Sequence, residues 1–390
     1  MENLITRTLK YLKERQYKIK SGEINCIPCP FPRFRKEFPG IEQGMYYLVS
    51  GGTKSSKTQL TSYLFIYNTI LYSYKNKDKV KPKIFYYPLE ETPEDITIRF
   101  MAFLLYILSK KTIILSPTEL KSTNADNPVS DHILQLLETK EYSDILEYFS
   151  ECVEFKSGRN PTAIWKDLKS YADNNGTTIN KKTTTIVDDY GDTKEIEPFD
   201  YYIPNNPNEY VMIIVDHIGL ISTELGLDLR QSINKLSEYF VILRNRYKYI
   251  PIVIQQQNIQ SQGLDAIKSN KIRPTPMGCA DSTQTSKDCS VMIGIINPYA
   301  HEIPEYLGYN ISRFQSNIRF IEIVLNRHGI SNSICPLYFN GKNNYYEELP
   351  LPNNIEELNK FYNMIQFIKI NTNFFIYKLK TIIMNRNKCK

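Results

Sequence analysis

Short, mostly apolar runs alternate along this chain with longer stretches in which apolar residues recur every three or four positions. The runs lie at residues 45–49, 82–87, 210–215, 250–254, 290–296, 321–325 and 335–339. They are of strand length, and the consecutive apolar positions of 211–215 predict a central parallel strand covered on both faces. Helical spacing is clearest at Leu60, Tyr63, Leu64, Tyr67, Ile70, Leu71 and Tyr74, then at Ile96, Phe100, Leu104 and Leu105, and again at Ile233, Leu236, Phe240 and Leu243. Thr92, Pro93 and Asp95 predict a capped start for the second of these helices. Strands alternating with helices predict an α/β domain with a mostly parallel central sheet flanked by helices.

Other stretches depart from this rhythm. Residues 110–176 read as irregular helix closing at Asn174-Asn175-Gly176, with the glycine as C-cap. Residues 177–205, rich in Thr, Lys, Asp and Tyr, predict an exposed hairpin inserted into the domain. Residues 258–288 form a long polar loop. The expected organisation is a linker-like basic helix over 1–24, the main domain over 25–350 with its insertion, and a helical extension over 351–390 that packs on the domain, binds a partner or touches a membrane surface.

Composition narrows the class. With 42% hydrophobic residues over 390 positions a full core can form, and a net charge of +6 permits contact with a polyanion without demanding it. The seven cysteines show no framework spacing, which suits a reducing compartment. Cys26-Ile-Pro-Cys29 has the spacing of half a zinc site, but no second Cys/His pair lies nearby. There is neither a signal peptide at the start nor a run of about 18 apolar residues, so a cytoplasmic protein without a membrane partner is expected.

Candidate chemistry begins after the first run. Gly51-Gly52-Thr53-Lys54-Ser55-Ser56-Lys57-Thr58 lies between a strand and a helix. Small residues let backbone amides close around a triphosphate, a lysine meets the β and γ phosphates, and a hydroxyl serves Mg²⁺ at a helix N-terminus. Gly51, Lys57 and Thr58 hold that spacing; Ser56 adds a Cβ where a second glycine is usual. Asp216, closing its strand at the same sheet edge, is placed to order Mg²⁺. Glu90, at the tip of the 82–87 strand, could polarise an attacking water; it reads equally as a surface carboxylate. Gln255, Gln256 and Gln257 end a further strand at that edge.

The order of these motifs resembles the ATPase domain of DnaB-type replicative helicases, in the RecA superfamily, over roughly residues 25–350. The resemblance implies a RecA-like P-loop core using ATP and Mg²⁺, and it gives residues 51–58 the nucleotide. Thr58 and Asp216 would hold the metal, and Glu90, in Leu89-Glu90, would be general base. Gln257 would sense the γ-phosphate, with Gln256 in its place if the strand slips by one. Arg327, two before Gly329, would be the finger inserted by a neighbouring subunit. Lys268, Lys271 and Arg273 in the polar loop would track single-stranded DNA through the channel of a homo-oligomer, a hexameric ring, during replication, with a primase or loader as further partner. Ser56, Gly219, Ala280 and Leu325 depart from the family pattern, Leu325 standing where a second trans-acting lysine is usual. The chain would then be a stripped-down version such as a bacteriophage encodes, acting in the host cytoplasm. A RecA-like recombinase or filament ATPase, or a nucleotide-binding loader or structural protein without turnover, are the alternative readings.

Overall fold

The structure, a computed structural model, describes residues 4–181, 184–187, 193–258 and 272–366. Nine strands of the described residues form one sheet, numbered here along the chain: β1 Tyr47–Gly51, β2 Lys81–Pro88, β3 Val153–Phe155, β4 Glu209–Asp216, β5 Ile250–Gln256, β6 Val291–Ile296, β7 Ile318–Asn326, β8 Ile334–Asn340 and β9 Tyr345–Glu348. Their order is β9-β8-β7-β6-β1-β5-β4-β2-β3. The six strands from β6 to β3 are parallel, and β7, β8 and β9 continue the sheet antiparallel.

Alternation along the strands sends successive side chains into two cores. Tyr47, Val49, Tyr86, Ile214, Ile252 and Ile293 face one layer, together with Leu60, Phe100 and Phe149. Leu48, Phe85, Val215, Val253 and Met292 face the other, with Leu168, Leu236 and Phe240. The first layer holds the helical segment from Lys57 to Lys75 (π-helical over Ser62–Tyr67) with the helices Pro93–Leu108 and Lys140–Cys152. Pro161–Asn174 and Leu229–Tyr247 cover the other face. Both faces being covered is why the central runs are apolar at consecutive positions. The Thr92 hydroxyl caps its helix by accepting from the Asp95 amide, with Pro93 in the first turn.

Three expectations change. The 110–176 stretch contains β3, a three-residue edge strand too short to show a period. Gly176 is no helix cap: Asn175 ends the helix and Gly176 opens the strand Gly176–Asn180. Glycine is needed there because an added Cβ would lie 2.3 Å from the Tyr202 ring and hydroxyl. The polar loop contains a short helix, Gln284–Asp288.

Between residues 176 and 204 the chain forms two antiparallel pairs, Gly176–Asn180 with Phe199–Pro204 and Thr184–Val187 with Thr193–Ile196. The helix Leu4–Lys20 leaves Ile5, Leu9, Leu12 and Tyr17 exposed. Near the other end, residues 355–366 are helical and bury Leu358, Tyr362 and Ile365 against Phe314 and Phe320. Most of the 351–390 extension lies outside the described residues.

Candidate functional site

All six parallel strands end at one edge of the sheet. β1 breaks there into residues 52–56, and the helix begins at Lys57. Gly51 cannot carry a side chain, since an added Cβ would come within 2.6 Å of the Ile295 carbonyl oxygen and of Ser55 Oγ. The loop folds back on itself: Ser55 Oγ donates to the Gly52 carbonyl at 2.8 Å and Lys57 Nζ to the same oxygen at 2.9 Å. Burial lowers the Lys57 pKa, while Asp216 and Glu90 act the other way.

Asp216 ends β4 on the same face as that helix. It is 3% exposed, and both carboxylate oxygens accept a hydrogen bond: Oδ1 from Thr58 Oγ1 at 3.1 Å, Oδ2 from the Tyr86 hydroxyl at 2.9 Å. The second contact pairs neighbouring strands β2 and β4, and the sequence reading missed Tyr86. Its signal was present: a tyrosine two residues before the end of a strand beside the one that delivers the acid. Burial pushes the Asp216 carboxyl up to about 6, aided by Glu91 and Glu90 and opposed by the Tyr86 and Thr58 donors.

Glu90 is exposed just beyond β2, and its charge is felt by Lys57, Asp216 and His217. The next residue, Glu91, is held by Arg99, whose two terminal nitrogens donate at 2.8 and 2.5 Å. One edge therefore gathers Lys57, Thr58, Asp216 and Glu90. Thr58 and Asp216 are a matched hydroxyl and carboxylate for a hard cation, and the loop amides and Lys57 suit phosphate oxygens, so these residues fit Mg²⁺ with a nucleotide.

The glutamines divide by strand parity. Gln256 shares the face of Ile250 and Ile252, and its Nε2 donates to Thr53 Oγ1 in the loop at 2.6 Å. Gln257 points to the opposite face and is 4% exposed. Its Nε2 donates to Ser50 Oγ at 2.8 Å and its Oε1 accepts from the Thr275 amide at 3.1 Å. Of the two, it is Gln256, the alternative that a one-residue slip of the strand would give, whose amide reaches the loop. Both faces of β5 are apolar, so the sequence carried no sign of which face the loop would take.

Arg327 stands at the other edge of the sheet. Its amide donates to the Ser290 carbonyl just before β6, its Nε donates to the Cys289 carbonyl at 2.8 Å, and its Nη2 donates to the Lys287 carbonyl. Leu325 packs against the second core. Arg273, its side chain 41% exposed, lies with Nη1 3.4 Å from the buried Glu322 carboxylate. Lys268 and Lys271 lie outside the described residues.

No family model matches the chain, and no curated protein matches it by sequence. Among solved structures, the ATPase domain of G40P is similar, with a TM-score of 0.63 and 14% identity, covering 90% of this chain and 100% of that one. A DnaB-like replicative helicase, solved with a view to its interactions with primase, is similar at a TM-score of 0.59 and 14% identity, covering 89% of this chain and 67% of that one. The chain therefore shares the fold of the G40P ATPase domain and of the DnaB-like helicase.

Proposed function

We propose that this chain hydrolyses Mg-ATP as a DnaB-like helicase motor, working as a ring of copies on single-stranded DNA during replication. What supports the reading most is the division of the residues: Lys57, Thr58, Asp216 and Glu90 share one sheet edge, while Arg327 occupies the other. Lys57 and the loop amides bind the phosphates. Thr58 and Asp216 hold Mg²⁺, which when bound supplies charge neutralisation at the phosphate oxygens. Glu90 takes the proton of the attacking water. Gln256, bonded to the loop at Thr53, is placed to register the γ-phosphate. Catalysis is positioning and electrostatics, as phosphoryl transfer requires.

Arg327 cannot serve its own chain's loop. From Ser290 to Ile295 the strand runs about 16 Å at about 3.3 Å per residue, and Ile295 pairs with Gly51 at the loop. It completes a neighbour's site instead, making the oligomer obligatory for turnover. The test is ATP hydrolysis with and without single-stranded DNA, then strand displacement on a forked duplex. DNA-stimulated turnover that Lys57→Ala abolishes, with displacement, is expected. Stimulated turnover without displacement would favour a recombinase or filament ATPase. Nucleotide binding without any turnover would leave a loader or structural protein.

A further inference from the structure

We propose that Arg319 is a positioning residue of the phosphate loop: together with the Ser56 hydroxyl, it holds the left-handed turn at which a glycine would otherwise stand. This rests on residues 51–58 being the nucleotide's phosphate site.

Ser56 has φ 76° and ψ 37°, a conformation glycine adopts freely and serine does not. Something must hold it there. Arg319, on β7, shares the sheet face of Ile321 and Ile323 and reaches the loop from beneath. Its Nε donates to the Ser55 carbonyl and to Ser56 Oγ, both at 3.2 Å, and its Nη2 donates to Ser56 Oγ at 3.0 Å. The remaining Nη1 donates to the Ser316 and Ile318 carbonyls at 2.9 and 2.7 Å. The guanidinium lies 4.6 Å above the Phe339 ring. Two further struts come from the same side, the Asn297 amide to the Lys54 carbonyl at 2.9 Å and the Tyr346 hydroxyl to the Ser56 carbonyl at 3.4 Å. A glycine at 56 would offer this fork no side-chain acceptor.

The charge of Arg319 points the same way. The residue is 5% exposed, and burial pushes its pKa down to about 10, which still leaves it protonated at neutral pH. Among the described residues no carboxylate forms an ion pair with it; Tyr346 alone contributes to its charge balance. A buried cation without a counter-charge is unfavourable. The loop it supports is built for an anion, so bound phosphate supplies the missing charge across the Ser55-Ser56 turn.

The experiment measures binding of a fluorescent, non-hydrolysable ATP analogue with Mg²⁺, and thermal melting with and without it, on the full chain. Arg319→Met removes an unpaired charge but also the donor to the Ser55, Ser316 and Ile318 carbonyls, so without ligand it should melt at or somewhat below the parent. It should bind the analogue about tenfold more weakly and lose most of the ligand-induced rise in Tm. Ser56→Gly should weaken binding about threefold in the parent and not at all in the Arg319→Met background, since the two act as one unit. Parent-like binding by a folded Arg319→Met, tighter binding by Ser56→Gly, or losses that simply multiply would each overturn the proposal. Should Arg319→Met not fold, Arg319→Lys and Ser56→Gly decide: weaker binding by both supports it, unchanged binding by both overturns it. Lys57→Ala separates the two layers. If it binds like the parent, the phosphate-site reading itself fails; if it alone loses binding, only the role of Arg319 falls.

Discussion

The two edges of the central sheet are built differently. At the edge where the parallel strands end, opposite charges and matched donors converge: Asp216 accepts from Thr58 and Tyr86, Lys57 sits within the influence of Asp216 and Glu90, and Gln256 meets Thr53. At the other edge, cations stand together. Arg327 and Arg244 both donate to carbonyls around Ser286–Ser290, Arg244 reaching the Asp288 carbonyl at 2.9 Å, and burial followed by the Arg327 charge lowers the Arg244 pKa. On the proposed function, the first edge takes the nucleotide and the second reaches the loop of a neighbouring copy.

The most direct way to break this comparison is at Arg327. Arg327→Ala should lower kcat by about 10³-fold or more, the range of an arginine finger, while nucleotide affinity stays within about threefold. Mixing it with Lys57→Ala should restore activity that neither has alone, because about a quarter of the interfaces in a random ring join an intact loop to an intact finger. Turnover measured across mixing ratios checks this, and a flat zero would place Arg327 outside the site. Glu90→Gln should cost about 10²- to 10⁴-fold in kcat, the span for a general base, with binding of the analogue preserved; single-turnover hydrolysis reads it. If Glu90 acts on its own chain's water, mixing Glu90→Gln with Arg327→Ala chains should restore activity at about a quarter of the interfaces, as with Lys57→Ala.

Much of the loop edge was legible beforehand, and the reason is physical. A parallel strand covered on both faces must be apolar throughout, so the one carboxylate ending 211–215 stands out at Asp216; Gly51, Lys57 and Thr58 are set by spacing along a single turn. What hid from the sequence were contacts made across strands. Tyr86 meets Asp216 only because β2 neighbours β4, and Arg319 meets Ser56 only because β7 is added beyond β6. A cation second in the apolar run Ile318-Arg319-Phe320-Ile321 was the available signal, since such a residue must find partners inside. Strand order is not written in periodicity, so the partner could not be named.

Asp216 sharpens the comparison from the side of stability. Its carboxyl is raised to about 6 in the folded chain, against an ordinary 3.8. Between those values the folded chain keeps a proton that the unfolded chain has lost. This residue therefore favours folding at low pH and costs stability as pH rises from 4 through 6, reaching about 3 kcal/mol at neutrality. Asp216→Asn removes that cost and keeps an acceptor for Tyr86 or Thr58. At pH 7 without ligand it should be more stable in denaturant melts by up to about 3 kcal/mol, with the gain shrinking towards pH 4, while Mg²⁺-dependent nucleotide binding is lost. The Arg327 edge should show no such trade, because Arg327→Ala removes no buried carboxylate.

The smallest effects separate the two glutamines, one residue apart on opposite faces of β5. Gln256→Ala removes only a hydrogen bond to the Thr53 hydroxyl at a partly exposed position. It should leave the melt unchanged and lower turnover about tenfold, as loss of a hydrogen bond made to the reacting phosphate would. Gln257→Ala should do the reverse. The Ser50 Oγ, fully buried, loses a donor and the Thr275 amide its acceptor, at about 1–3 kcal/mol for a buried group left unpaired, with a kcat close to the parent's once the folded fraction is counted. Melting curves beside ATP turnover for the two variants decide it. If Gln257→Ala loses turnover at full stability while Gln256→Ala is silent, then strand parity does not govern which amide meets the nucleotide, and β5 must change register when the loop fills.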